Sequence, residues 1–252
     1  MAEIEKERSS SNPALKSSVF AKLERREGDG VMTVAGAVNK TGILAMILAC
    51  VAVYTGLQVL QDPESPWLAA LIPALIVNLV LSLVIIFVKR SAPYLAPLYA
   101  LIEGVLIGAL SGMMEKAYPG IAMQAAWLTF GTLASMLLIY RLGIIRATQR
   151  FQIGLLAATG GIAIVYLIDM GLGFFGHQVP YLHDSSPLGI AISLGITVVA
   201  ALNLILDFNF IERGAEEEAP KFMEWYAAFG LILTLVWLYL EILRLLSKLR
   251  KK

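Results

Sequence analysis

Residues 66–88 read PWLAALIPALIVNLVLSLVIIFV, twenty-three positions without one Asp, Glu, Lys or Arg, closed by Lys89-Arg90. A helix crosses the hydrocarbon core of a bilayer in ~20 mostly apolar residues, so this stretch is long enough to span. Six further runs qualify on either side of it, at about 41–61, 94–115, 119–140, 153–175, 188–210 and 223–246. Breakers separate them: Pro63 and Pro66, Pro93, Pro119-Gly120, Pro180 and Pro187, and Pro220. Leucine-rich runs of this length favour helices, whereas the strands of a membrane barrel alternate over ~10 residues. The expected fold is therefore an all-α membrane protein with seven transmembrane helices over 40–248, an N-terminal tail 1–39 and a basic tail 249–252. Pro73 and Pro97 are expected to kink their spans.

Composition agrees. Of 252 residues, 58 % are hydrophobic and 15 % charged, against ~25 % charged in an ordinary soluble domain, and the mean hydropathy is +0.74. A net charge of +1 gives no reason to expect a nucleic-acid partner. Cys50 is the single cysteine, which excludes a disulfide within the chain and a cysteine metal cluster.

Residues 1–39 lack the apolar core of a secretory signal. Leu15, Val19 and Leu23 recur every four residues beside Phe20. That pattern fits a short amphipathic helix on an anionic membrane surface, or a solvated tail. Gly28-Asp29-Gly30 ends it. With the N-terminus in the cytoplasm, fourteen Lys and Arg fall on the inner side, and the outer loops hold only Lys116. Inner loops carry the positive excess in membrane proteins, so this orientation is expected. Lys248, Arg250, Lys251 and Lys252 dissent, because seven crossings put them outside.

The third span carries Gly104, Gly108 and Gly112, four residues apart. Such a stripe lets another helix approach closely, either in a second molecule or inside the bundle. With seven helices available, packing inside the bundle is the simpler reading. Ser111 beside Gly112 has the setting of a membrane serine protease, but a serine nucleophile needs a base and no span contains a histidine. No phosphate loop or zinc motif is present, and no enzymatic activity is expected.

Four acids lie at or near membrane depth: Glu103, Asp169, Asp207 and Glu241. An unpaired charge there costs at least ~2.5 kcal/mol, so such residues mark functional sites by default. Burial penalises the charged form of a carboxyl group and brings its titration toward physiological pH, which is the physical basis for a proton-controlled gate. Asp207 has Asn203 one turn before it. Their oxygens suit a transient Ca²⁺ ligand, and they equally suit an interhelix clamp. Glu103 is mid-span, with Tyr99 four residues back. Glu241 has Arg244 three residues on, and a local pair is expected. His177, His183 and Asp184 share a loop, without the fixed spacing of a metal site.

Residues 201–246, ALNLILDFNFIERGAEEEAPKFMEWYAAFGLILTLVWLYLEILRLL, resemble the close of the Bax inhibitor motif family in its bacterial YccA-like branch. Ser11-Asn12-Pro13-Ala14-Leu15 and the third span, LYALIEGVLIGALSG, are similar to it as well. The resemblance implies six helices around a central seventh in a bacterial inner membrane, and a Ca²⁺ leak controlled by pH. It also implies a proton sensor made of two aspartates, one on span six and one on span seven, and for this branch a link to the FtsH membrane protease. No cofactor is implied; Ca²⁺ is the permeant ion. The span-six aspartate corresponds to Asp207. The span-seven aspartate follows a run that here reads Ala228-Phe229-Gly230-Leu231-Ile232-Leu233, and the next residue is Thr234. Either Glu103 or Glu241 supplies the second acid through the fold, or gating differs. Lys89 or Arg90 corresponds to the family's basic partner at the end of span two.

Two functions follow as expectations. One is a pH-sensitive cation leak with Asp207, Asn203, Thr234, Glu103 and Glu241 at the sensor. The other is a non-conducting regulator that binds another membrane protein, motivated by the Gly104/Gly108/Gly112 face and the basic tail.

Overall fold

The computed structural model describes residues 30–62, 64–173, 175–177, 179–180 and 182–251. The amphipathic pattern of Leu15 to Leu23 lies outside them. In hydrocarbon, every backbone N–H and C=O must be answered within the chain, and a helix does so within one segment. The described residues form helices α1 (Val34–Gln61), α2 (Leu71–Phe87), α3 (Ala92–Ala117), α4 (Ile121–Arg141), α5 (Gln149–Gly173), α6 (Pro187–Glu216) and α7 (Met223–Arg250). A single turn, Pro66–Ala69, precedes α2, and a 3₁₀ turn, Lys89–Ser91, precedes α3. The Thr33 hydroxyl caps α1 by accepting from Gly36 N at 2.9 Å. Ser186 caps α6 in the same way from Gly189 N at 3.0 Å, with Pro187 at the first helical position, where its missing N–H costs nothing.

Six of these helices are long and apolar enough to cross a membrane. The exception is α2, whose uninterrupted length is 17 residues. The stretch 66–88 is therefore not one continuous helix, and proline explains the break. A helical Pro73 has no N–H to give Ala69 O, and its ring collides with that carbonyl. The first turn accordingly stops at Ala69, and α2 starts anew at Leu71. Other boundaries differ in the opposite sense: α1 begins at Val34, inside the stretch read as tail, and α6 runs on to Glu216. Hydropathy ends a span at its first charges, but a helix continues through charges that pair along it, as Arg213 does with Glu217 at 2.9 Å.

The glycine stripe faces α1. A Cβ on Gly104 would lie 2.8 Å from Leu48 O, one on Gly108 2.4 Å from Ala52 O, and one on Gly112 2.7 Å from Gly56 O. These glycines are filled from within the chain, so they do not offer a face to a second protein. α7 is the most enclosed helix. It packs on α1, α3, α4 and α6 and buries half of its 28 residues, whereas α5 buries Leu155 alone.

The chain shuttles between two ends of the bundle. At one end Lys40 of α1 pairs with Glu224 at the start of α7, and Lys89 lies over the Tyr226 ring at 5.5 Å. At the other, Arg250 closes α7 by donating to Pro119 O at 2.7 Å, and Lys248 donates to Gly189 O at 3.0 Å.

Gly108→Ala is expected to force the α1 and α3 backbones apart and to cost about 2 kcal/mol or more, as overpacking does. Gly160→Ala, where a Cβ meets nothing within 4 Å, should leave thermal stability in detergent unchanged or improved. Equal melting temperatures for the two variants would show that α1 and α3 do not meet this closely.

Candidate functional site

Asp207 lies on the buried side of α6, between Ile205 and Phe208. Phe208 packs on Tyr140 of α4, with ring centroids 5.8 Å apart. Across the α6–α7 contact the carboxyl faces the side chain of Thr234. The Thr234 hydroxyl donates back to Gly230 O at 3.3 Å. The second carboxyl oxygen, Oδ2, is shut from solvent and finds no hydrogen-bond partner among the described residues. The fold thus brings Asp207 and Thr234 together and leaves one carboxylate oxygen unanswered.

Asn203 does not lend its donor to that carboxyl. Its amide nitrogen donates to Thr159 Oγ1 of α5 at 2.9 Å and to Val199 O at 2.8 Å, so both N–H groups are committed. The i, i+4 spacing puts Asn203 on the same broad face as Asp207, but α5 meets that face beside it.

Glu103 and Glu241 are answered elsewhere. The Glu103 carboxylate accepts from the Asn78 amide of α2 and from Tyr99 one turn back. Tyr99 in turn stands edge-on to Phe229 of α7 at 4.9 Å. Glu241 pairs with Arg244 at 3.2 Å, in line with the local pair expected from the sequence. It also accepts from Tyr166 Oη of α5 at 2.7 Å and from Trp237 Nε1 at 3.3 Å, and Arg244 donates to the same Tyr166 oxygen. A carboxylate with three donors is a clamp between α5 and α7. In this arrangement no second acid takes the place opposite Asp207; Thr234 does.

Two polar clusters border the membrane-depth acids. Toward the Glu224 end, Tyr140 donates to Glu212, and Gln152 of α5 donates to Asn209 at 3.4 Å. Side chains from α4, α5 and α6 therefore converge below Asp207. At the opposite end Asp169 accepts from Val179 N at 2.9 Å and holds His183 at 2.7 Å. Asp184 instead serves Ser186, the cap of α6. No group of three or more His, Cys, Asp or Glu among the described residues could hold a metal ion.

Two partners had no local signal: Tyr166 and Thr159 matter only because distant segments meet them, whereas Trp237 lies one turn before Glu241 on α7. Asn78 did have one: it is an amide inside twenty-three uncharged residues, and such a group in hydrocarbon requires a partner on another helix.

The family model described as Bax inhibitor 1 like matches residues 12–251 of the chain. No curated protein and no solved structure matches it.

Arg244→Met leaves Glu241 buried without its cation and is expected to cost about 3 kcal/mol, the scale for removing one partner of a buried pair. Adding Glu241→Gln should restore part of that loss in thermal unfolding in detergent. An Arg244→Met protein as stable as the parent would rule out the clamp.

Proposed function

We propose a function for a chain that belongs to the Bax inhibitor 1 like family: it is a pH-controlled cation leak, with Ca²⁺ as the permeant ion and Asp207 as the group whose protonation gates it. The observation that carries this reading is the Asp207 oxygen shut from solvent without a partner among the described residues. An ionised carboxylate in that position bears the cost of an unanswered buried acceptor. Two events relieve it, the arrival of a proton or the arrival of a cation, and a pH-controlled cation path needs both.

The neighbouring hydroxyl serves either state. Towards an ionised Asp207, Thr234 donates. Towards a protonated Asp207, it accepts while keeping its own hydrogen on Gly230 O. A cation at this point meets carboxylate and hydroxyl oxygens, the hard ligands that Ca²⁺ takes. They are too few to hold the ion tightly, and conduction requires a site weak enough to leave. The Tyr140, Glu212, Asn209 and Gln152 cluster supports a polar approach from the Glu224 end.

In this reading α7 is the central helix with the other six around it, which its burial supports. The Glu224 end, with Lys89, Arg90, Arg141, Arg146 and Arg213, is the cytoplasmic side of a bacterial inner membrane. The chain is not an enzyme and carries no cofactor; Ca²⁺ passes as cargo. The alternative, a regulator of another membrane protein such as the FtsH protease, keeps the basic tail as its motivating feature but not the glycine stripe, which α1 already occupies.

The test is Ca²⁺ flux into proteoliposomes over about pH 5 to 8, the range reachable by buried carboxyl groups. The parent should show a flux that follows a single titration. Asp207→Asn should abolish its pH dependence, and Thr234→Asp, which adds a second interacting acid, should split the profile into two steps. A flux profile unchanged in folded Asp207→Asn would overturn the assignment.

A further inference from the structure

α1 and α4 both pack against the core of the bundle but hardly meet each other. Between them lies a cavity of about 460 Å³, floored by α3 and α7. Small residues make the room: Ala49, Ala52 and Gly56 on α1, and Ala126 on α4. Its lining runs along α1 from Ala45 to Leu60, ~22 Å at 1.5 Å per residue. One leaflet contributes ~15 Å of hydrocarbon, so the slot is long enough for the full depth of a leaflet. Val53, Leu57, Met123 and Phe130 line it and are more than half exposed, which places its open side toward the lipid between α1 and α4.

The polar groups in the wall are already answered by the protein. Ser111 and Tyr239 bond each other at 2.6 Å, Thr129 donates to Ala125 O at 2.8 Å, and Glu115 accepts from Ala122 N at 3.0 Å. A water molecule needs two or more polar partners, and apolar cavities without them stay dry. The occupant is therefore apolar, long and thin, and it comes from the medium that surrounds these helices. The Leu60 end of the slot carries charge of both signs: Glu115 is in its wall, and Asp62 and Glu64 follow Leu60. Lys116, next to Glu115, is exposed there, and Arg250 is anchored on Pro119 O and Gln124 at 2.7 Å each. Cations beside carboxylates suit a zwitterionic headgroup, its phosphate toward Lys116 and its ammonium toward the acids, at the end of an acyl chain.

We propose that the slot between α1 and α4 is a binding site for one acyl chain of a bilayer phospholipid, with its phosphate at the Lys116 end. The site stands independently of whether the protein conducts. Its side-chain wall is shared with α7 through Leu235, Val236 and Tyr239, so the bound chain completes the packing of that helix.

The full-length protein, purified in mild detergent and washed until bulk lipid is gone, is examined by native mass spectrometry and by phosphate analysis. The parent is expected to retain about one phospholipid per chain. Ala126→Phe fills the slot and should retain none, while Leu128→Phe, on the same helix but outside the lining, should retain it. Ala49→Ile serves as a second filling variant if Ala126→Phe is not monodisperse. Stripping the parent of lipid should lower its melting temperature, and adding back a long-chain phospholipid should restore it where an eight-carbon one does not. Equal retention by the parent and both filling variants means lipid held only around the outside, and overturns the proposal. So does a parent that retains no lipid, or one whose slot is closed by dimerisation.

Discussion

A polar side chain placed inside this bundle is costly unless another part of the chain answers it, because hydrocarbon offers nothing in return; in the spans Thr55 Oγ1, Asn78 Oδ1 and Asp207 Oδ2 find no partner among the described residues. That constraint organises the helices. Asn78 and Glu103 tie α2 to α3, Ser111 and Tyr239 tie α3 to α7, and Lys248 and Ser193 tie α7 to α6 at 2.7 Å. Lys40 and Glu224 tie α1 to α7. That last pair requires Gly36, where a Cβ would fall 2.1 Å from the Glu224 carboxylate. α5 shows the constraint most plainly. It buries one residue, far too little for a helix in water, yet Thr159 and Tyr166 bind it to α6 and α7. Between helices in a membrane, apolar burial supplies no net drive, and hydrogen bonds and close packing hold the contact.

Close packing does the same for α1 and α3. The glycine stripe was legible in the sequence, but its occupant was not, since a flat face states only that a backbone can approach. The reply lies on α1, where Gly56 gives its carbonyl to the space over Gly112 and its own absent Cβ leaves 3.1 Å to Gly108 O. Two helices with matched small residues and a long connection between them can meet inside one chain, and here they do. Pro73 was equally visible, and the outcome differs from a kink because Ala69 and Ala70 precede it near the start of the span, where ending one turn and beginning another disrupts little.

Two of the four basic C-terminal residues that dissented from the charge count fall under the same accounting. Lys248 is a buried residue of α7 whose ammonium is spent on Gly189 O and Ser193 Oγ, and Arg250 is spent on the start of α4. Charges that close helix ends act on the partial negative charge of carbonyl groups and differ from loop charges that decide orientation. Hydropathy and charge counting see the number of such residues but not their partners. For the same reason Asp207 and Thr234 could be named from the sequence and Glu241 could be paired with Arg244 by helix spacing, but the bond from Asn203 to Thr159 could not be read there: spacing along one helix says which side chains share a face, while the neighbouring helix decides which of them it engages.

Thr234 in place of an acid alters what the site can be. Two facing carboxylates repel when both are ionised and share a proton when they are not, so their protonation is linked. A carboxylate facing a hydroxyl has no such repulsion. Its contact with Thr234 survives in both states by reversal of donor and acceptor, so that hydrogen bond cannot by itself distinguish them. The distinction then rests on the other oxygen, Oδ2, which has no partner among the described residues and is far more costly while the group is charged. Whatever movement accompanies proton release has to bring that oxygen to water, to a cation or to a donor. The elements able to supply one are those already packed at the site, the faces of α6 and α7 and the polar cluster of Tyr140, Gln152 and Glu212 below them.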